Sequence, residues 1–156
     1  MPEISQGLLE SVLGRTLEEA AFVFAEATTV PPPHEAALVE ARLGYAGPQG
    51  GELTLVAPAS LAATIAANLL GEDEGGASTT GDDEDAVGEL LNMIAGVVVV
   101  ELFGEDAACQ LGLPRVRRIR PDAHVRTLAT ATAAATMVEE EGRRIDLALT
   151  SAGRVR

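Results

Sequence analysis

Between Asp82 and Phe103 the chain carries a long, uninterrupted helical period, and this segment constrains the fold more than any other. Val87, Leu91, Ile94 and Val98 fall on one side of it, the spacing of a helix that covers an apolar layer. Asp82 and Asp83 stand near its start, where negative charge suits the helix dipole, and Gly104 closes it. An amphipathic helix of about six turns gains little stability alone and needs a sheet or another helix to cover. Ser5 to Ala27 reads as a second long helix. Its stripe is Leu9, Leu13, Leu17, Ala20 and Phe24, widened by Leu8 and Val12, and Thr28 to Val30 with Pro31–Pro33 stop it.

What these helices cover is read from the alternating segments. Val39, Ala41, Leu43 and Tyr45 alternate with Leu38, Glu40, Arg42 and Gly44, and Leu53, Leu55 and Ala57 follow the turn Gly47 to Gly51. Residues 37–57 are therefore expected as a β-hairpin. Pro58 opens a short helix with Leu61, Ile65 and Leu69 on one face, ended by Gly71. The stretch Glu72 to Gly81 is rich in Gly and acids and is expected as a mobile surface loop. Ala107 to Leu113 reads as a strand holding Cys109 as a small apolar residue. A final hairpin is expected over Val125 to Val138 and Arg144 to Thr150, turning at Glu140-Glu141-Gly142. Residues 1–156 are expected as a single α/β domain of the α+β type. It would have two layers, a mainly antiparallel sheet packed against the two long helices.

Composition narrows the partners. Lys and Arg total 11 against 24 Asp and Glu, a net charge of -13. Such a chain repels nucleic acid and anionic membrane surfaces, so a protein partner is expected instead. Aromatics are 3% with no Trp, which argues against base or sugar stacking platforms. The single Cys109 excludes an intramolecular disulfide, the N-terminus lacks the pattern of a signal peptide, and the apolar run Met93 to Val100 is too short to span a bilayer. A cytoplasmic location is expected.

The candidate site lies on the long helix. At about 100° per residue, Asp85, Glu89 and Asn92 fall within roughly 60° of one another and form one polar stripe opposite the apolar one. Gly96 continues that stripe. A glycine inside a helix costs roughly 1 kcal/mol against alanine, so close approach of another chain or element at Gly96 is expected. Beyond it Val99, Val100 and Phe103 turn the stripe apolar, and the second half of the helix is expected to be buried all round. Spacing alone leaves two readings open, a solvated outer face or a binding and catalytic one.

The segment resembles the CheX/CheC/FliY family of chemotaxis phosphatases. The resemblance rests on Asp85, Glu89, Asn92 and the downstream Pro114, and on the string Gly-Glu-Leu-Leu-Asn-Met-Ile-Ala-Gly, which is like the CheX branch. It implies a phosphatase acting on the phospho-aspartate of a CheY-like response regulator in two-component signalling. Asn92 would place the attacking water, Glu89 would pair with a Lys of the regulator, and Asp85 would make a more peripheral contact. It implies no cofactor of the chain's own, the Mg²⁺ being the regulator's, and a homodimer. One motif copy is visible; on the short helix Ser60, Thr64 and Asn68 stand in equivalent places, but Thr64 replaces the acid. A non-catalytic scaffold that docks a signalling partner through the same helix is the competing reading.

Other features are read as structural. His34 and His124 are far apart in sequence, fit no metal-ligand spacing and are expected on the surface. The run Arg115 to Arg120 is expected as a charged edge or as a partner for the chain's own acids, with anion or partner binding as the alternative.

Overall fold

The computed structural model describes residues 3–70 and 80–152. Its sheet begins from the hairpin of β2 (Leu38–Ala46) and β3 (Gly51–Pro58), which pair antiparallel with Ala41 opposite Leu55 and Leu43 opposite Leu53. β3 pairs on its other side with β7 (Arg144–Ser151), and β7 closes a second hairpin with β6 (Ala133–Glu139). Gly142, at φ 84, makes the turn there. The short β1 (Ala25–Ala27) lies outside β6, while β4 (Gln110–Leu111) and β5 (Arg115–Ile119) both pair with β2, giving a seven-stranded sheet in the order β1-β6-β7-β3-β2 with β4 and β5 beyond. Every pairing is antiparallel.

One face of this sheet is apolar. Val39, Ala41, Leu43, Leu53, Leu55, Ile145, Leu147 and Leu149 are buried there in one core, under α1 (Gln6–Ala21), α2 (Ala59–Leu70) and α3 (Thr80–Phe103). The α+β, antiparallel, helix-covered architecture expected from the alternation is the one observed. α3 is long and apolar enough to cross a membrane, but more than half of its most apolar stretch is buried within the domain.

Several local expectations are corrected. α1 starts where Ser5 caps it, its hydroxyl accepting from the Leu8 N–H at 3.1 Å. It ends at Ala21, because Phe22 adopts a left-handed conformation and the Val23 N–H reaches back to the Leu17 carbonyl. Phe24 is then outside the helix and 50% exposed, and Ala25 to Ala27 pair with Met137 to Glu139. Cys109 precedes a strand of only two residues and lies outside it. The expected loop Glu72 to Gly81 falls largely outside the described residues, and its last two residues already belong to α3.

The largest correction concerns residues 121–130. They form α4 (Pro121–Thr130) with Pro121 in its first turn, not the start of a strand. α4 lies against the other face of the sheet, which is polar. Arg42 on β2 donates to the Thr127 hydroxyl at 2.8 Å, and His124 contacts Asp146 on β7 at 2.8 Å. Glu40, wholly buried, accepts from Arg42 Nε at 2.9 Å and Arg117 Nε at 2.8 Å. Arg42 and Arg115 also reach Glu52, at 2.9 and 3.3 Å, so Arg115, Arg117 and Arg118 of the basic run are paired with the chain's own acids, one of the readings offered for it.

Candidate functional site

α3 is fixed on its inner side. Val87, Leu90, Leu91, Ile94 and Val98 are fully buried, so the helix cannot roll without opening the core. Its outer side therefore presents a defined stripe, and Asp85, Glu89 and Asn92 are all exposed on it. The adjacent Glu84 is tied to Arg118 of β5 at 3.2 Å, whereas no ion pair or hydrogen bond to another described residue holds the three stripe side chains. They are two acids and one amide, free to meet a partner.

Gly88, the first residue of the Gly-Glu-Leu-Leu-Asn-Met-Ile-Ala-Gly string, explains how Pro114 comes to the stripe. A Cβ at Gly88 would stand 3.0 Å from Val116 Cγ2 and 3.6 Å from the Pro114 ring. The missing side chain lets the segment entering β5 lie directly on α3, next to Glu89. The signal was present, since an interior helical glycine needs a compensating contact. Leu113, just before Pro114, is 87% exposed and adds an apolar element to this edge.

Gly96 behaves differently. A Cβ there would meet nothing within 4 Å, so among the described residues no other element makes the expected close approach. The second half of α3 is also not buried all round: Val100 is 42% exposed, and Glu101 faces Arg15 at 3.8 Å. On α2, Asn68 donates to the Ala21 carbonyl at 2.7 Å and so holds the end of α1.

The two histidines are not surface residues. His124 is fully buried and His34 largely so, with ring centroids 4.9 Å apart, and both turn toward Asp146. Nothing in their spacing of ninety positions (34 to 124) signals this; the fold alone joins them. Burial pushes the Asp146 carboxyl up, but hydrogen bonds from His124 and Thr136 and the charge of Arg144 outweigh it and hold the group below its ordinary value.

An antiparallel sheet covered by a helix that displays an acid-acid-amide stripe beside a proline is the arrangement expected from the family that the sequence resembles. Residues 39–135, more than half of the chain, match the family described as chemotaxis phosphatase CheX, and the chain belongs to that family. Among solved structures, chemotaxis protein CheX from Desulfovibrio desulfuricans is similar at 17% identity and TM-score 0.68, over 94% of this chain and 97% of that one. CheX from Vibrio vulnificus is similar at 17% identity and TM-score 0.67, over 94% and 95%. A CheX–CheY–BeF₃–Mg²⁺ complex from Borrelia burgdorferi is similar at 16% identity and TM-score 0.64, over 94% and 97%. No curated protein matches by sequence.

Proposed function

We propose that the chain dephosphorylates the phospho-aspartate of a CheY-like receiver domain, with Asn92 positioning the attacking water. The observation that carries this reading is the exposed Asp85–Glu89–Asn92 stripe on a helix whose opposite side is locked into the core. The reaction asks little covalent chemistry of the helper. Water attacks phosphorus, the acyl P–O bond breaks, and the receiver's aspartate leaves as carboxylate. An acyl phosphate is already reactive, so orientation of the water is the main contribution. An amide suits that task because it both donates to and accepts from water and brings no negative charge toward the phosphoryl oxygens.

Glu89 carries the charge that docks the helix on the receiver's active-site Lys, and Asp85 and the exposed Leu113 extend the contact. Mg²⁺ is supplied by the receiver. The similar structure of a CheX–CheY–BeF₃–Mg²⁺ complex from Borrelia burgdorferi supports a CheY-like receiver as the partner. The same reading places the protein in the cytoplasm as a homodimer, with one stripe exposed on each subunit. Gly96 then lies on the partner-facing side, where its lack of a side chain leaves room for the receiver.

The test separates docking from turnover. Glu89→Ala is expected to weaken receiver binding about tenfold, the equivalent of one lost interfacial ion pair of about 1.4 kcal/mol, and to slow turnover as well. Asp85→Ala is expected to do less than either Glu89→Ala or Asn92→Ala. Binding is read by calorimetry with a beryllofluoride-loaded receiver and turnover by loss of acyl phosphate. Unchanged binding in Glu89→Ala contradicts the docking role.

A further inference from the structure

The polar face of the sheet holds a second cluster that the phosphatase reading does not use. Asp146 on β7 is 1% exposed and points one oxygen, Oδ2, at both histidines: His124 Nε2 is 2.8 Å away and His34 Nδ1 3.8 Å away. One donor atom from each of the three residues lies within 4.8 Å of the other two. The second oxygen, Oδ1, accepts from the Thr136 hydroxyl at 2.6 Å, and Arg144 Nε lies 3.1 Å from both oxygens.

We propose that His34, His124 and Asp146 form a binding site for a divalent transition-metal ion of the zinc type. Two imidazoles and a carboxylate are a donor set that such ions take readily, and hard cations such as Mg²⁺ do not favour it. The carboxylate is already oriented from behind by Thr136, the kind of outer contact that metal-bound carboxylates carry. Tetrahedral zinc with ligand bonds of 2.0–2.2 Å needs donor atoms about 3.3 Å apart. His124 and Asp146 must separate slightly, and His34 must move inward. His34 can do so, because it sits on the irregular segment after Pro31–Pro33 rather than on a helix or strand.

A small cavity of about 60 Å³ opens beside His34, the outermost donor, and is bordered by neither His124 nor Asp146. Arg144 opposes the ion. It has to release Oδ2, which it can do while keeping its bonds to Oδ1 and to the Pro32 carbonyl at 3.2 Å. The net charge of -13 acts in the other direction and draws cations toward the molecule. Once bound, the ion ties the Pro31–His34 segment to α4 and β7.

The experiment uses the full chain, stripped with a chelator and returned to buffer containing excess Mg²⁺ to occupy the acidic surface. Zn²⁺ is titrated by calorimetry and Co²⁺ by visible absorption. The expected result is saturable binding of one ion per chain, an intense Co²⁺ band of the tetrahedral type, and a raised unfolding temperature with Zn²⁺. His34→Ala, which removes the outermost donor and leaves the buried His124–Asp146 bond intact, should weaken binding at least tenfold and abolish the Co²⁺ band. Absence of saturable binding by the wild-type chain overturns the proposal. Equal binding by His34→Ala overturns it too, and marks His124 and Asp146 as a structural hydrogen bond only.

Discussion

Asn92→Ala is expected to slow receiver dephosphorylation by about 10²-fold or more while leaving the fold and receiver binding nearly unchanged. The magnitude follows from the role. A side chain that only orients a water contributes through geometry, and loss of a positioned reacting group typically costs that much. The selectivity follows from the structure. Asn92 is exposed, with no hydrogen bond to another described residue, so its removal opens no cavity and orphans no buried group. Alanine is also the better helix former by roughly half a kcal/mol, so the variant should unfold at the same temperature or slightly above. A variant that lost activity together with stability would point to a structural role for Asn92 instead.

Glu40→Ala is expected to cost about 2–3 kcal/mol of stability at neutral pH with little direct effect on the stripe. Glu40 is wholly buried, and its carboxylate is the shared acceptor for Arg42 and Arg117. Removing one partner of a buried charge network strands the others, which in deeply buried cases costs about 3–5 kcal/mol. The lower figure applies because Arg117 is largely solvated and Arg42 keeps Glu52 at 2.9 Å.

The effect should depend on pH in one direction. Burial pushes the Glu40 carboxyl up, but hydrogen bonds and charge from Arg42 and Arg117 outweigh it and hold the group below its ordinary value of 4.5. A group depressed in the folded state stabilises fully above its unfolded value and loses that contribution as pH falls through the folded one. Denaturant unfolding of wild type and Glu40→Ala should therefore show the full gap at pH 7 and a narrowing gap below about pH 4. A gap that widens in acid would mean that the carboxyl is raised, not lowered, by its surroundings.

The parts of the fold legible in the sequence are those whose period is set by one apolar face. Val39 to Tyr45, Leu53 to Ala57 and Ile145 to Leu149 alternate because the helices cover one side of the sheet, and α3 reads clearly because its inner stripe is unbroken. The site shares that legibility, since the stripe is a property of one helix. Where long-range pairing decides, the sequence is silent. Ala25-Glu26-Ala27 is helix-forming by composition, yet it becomes a strand because β6 offers it an edge and Phe22 turns the chain.

α4 carried a signal of its own, Pro121 followed by Asp122 at a helix start, which the apparent alternation after Val125 overrode. The polar face was the hardest to foresee. Glu40, Asp146 and His124 look like surface residues one by one, and the groups that meet them in the interior come from distant parts of the chain. Gly88 and Gly96 show the same limit on a smaller scale. Both interrupt one helix, but only the structure tells which one a neighbour fills.

The most direct test of the central claim is the decay of acyl phosphate on receiver domains from the same organism, labelled at the aspartate and followed with and without the protein in Mg²⁺ buffer. The account predicts that catalytic amounts of wild-type protein accelerate the decay of at least one receiver and that Asn92→Ala does so about a hundredfold less. Decay that is equally fast with wild type, with Asn92→Ala and with no added protein would contradict it.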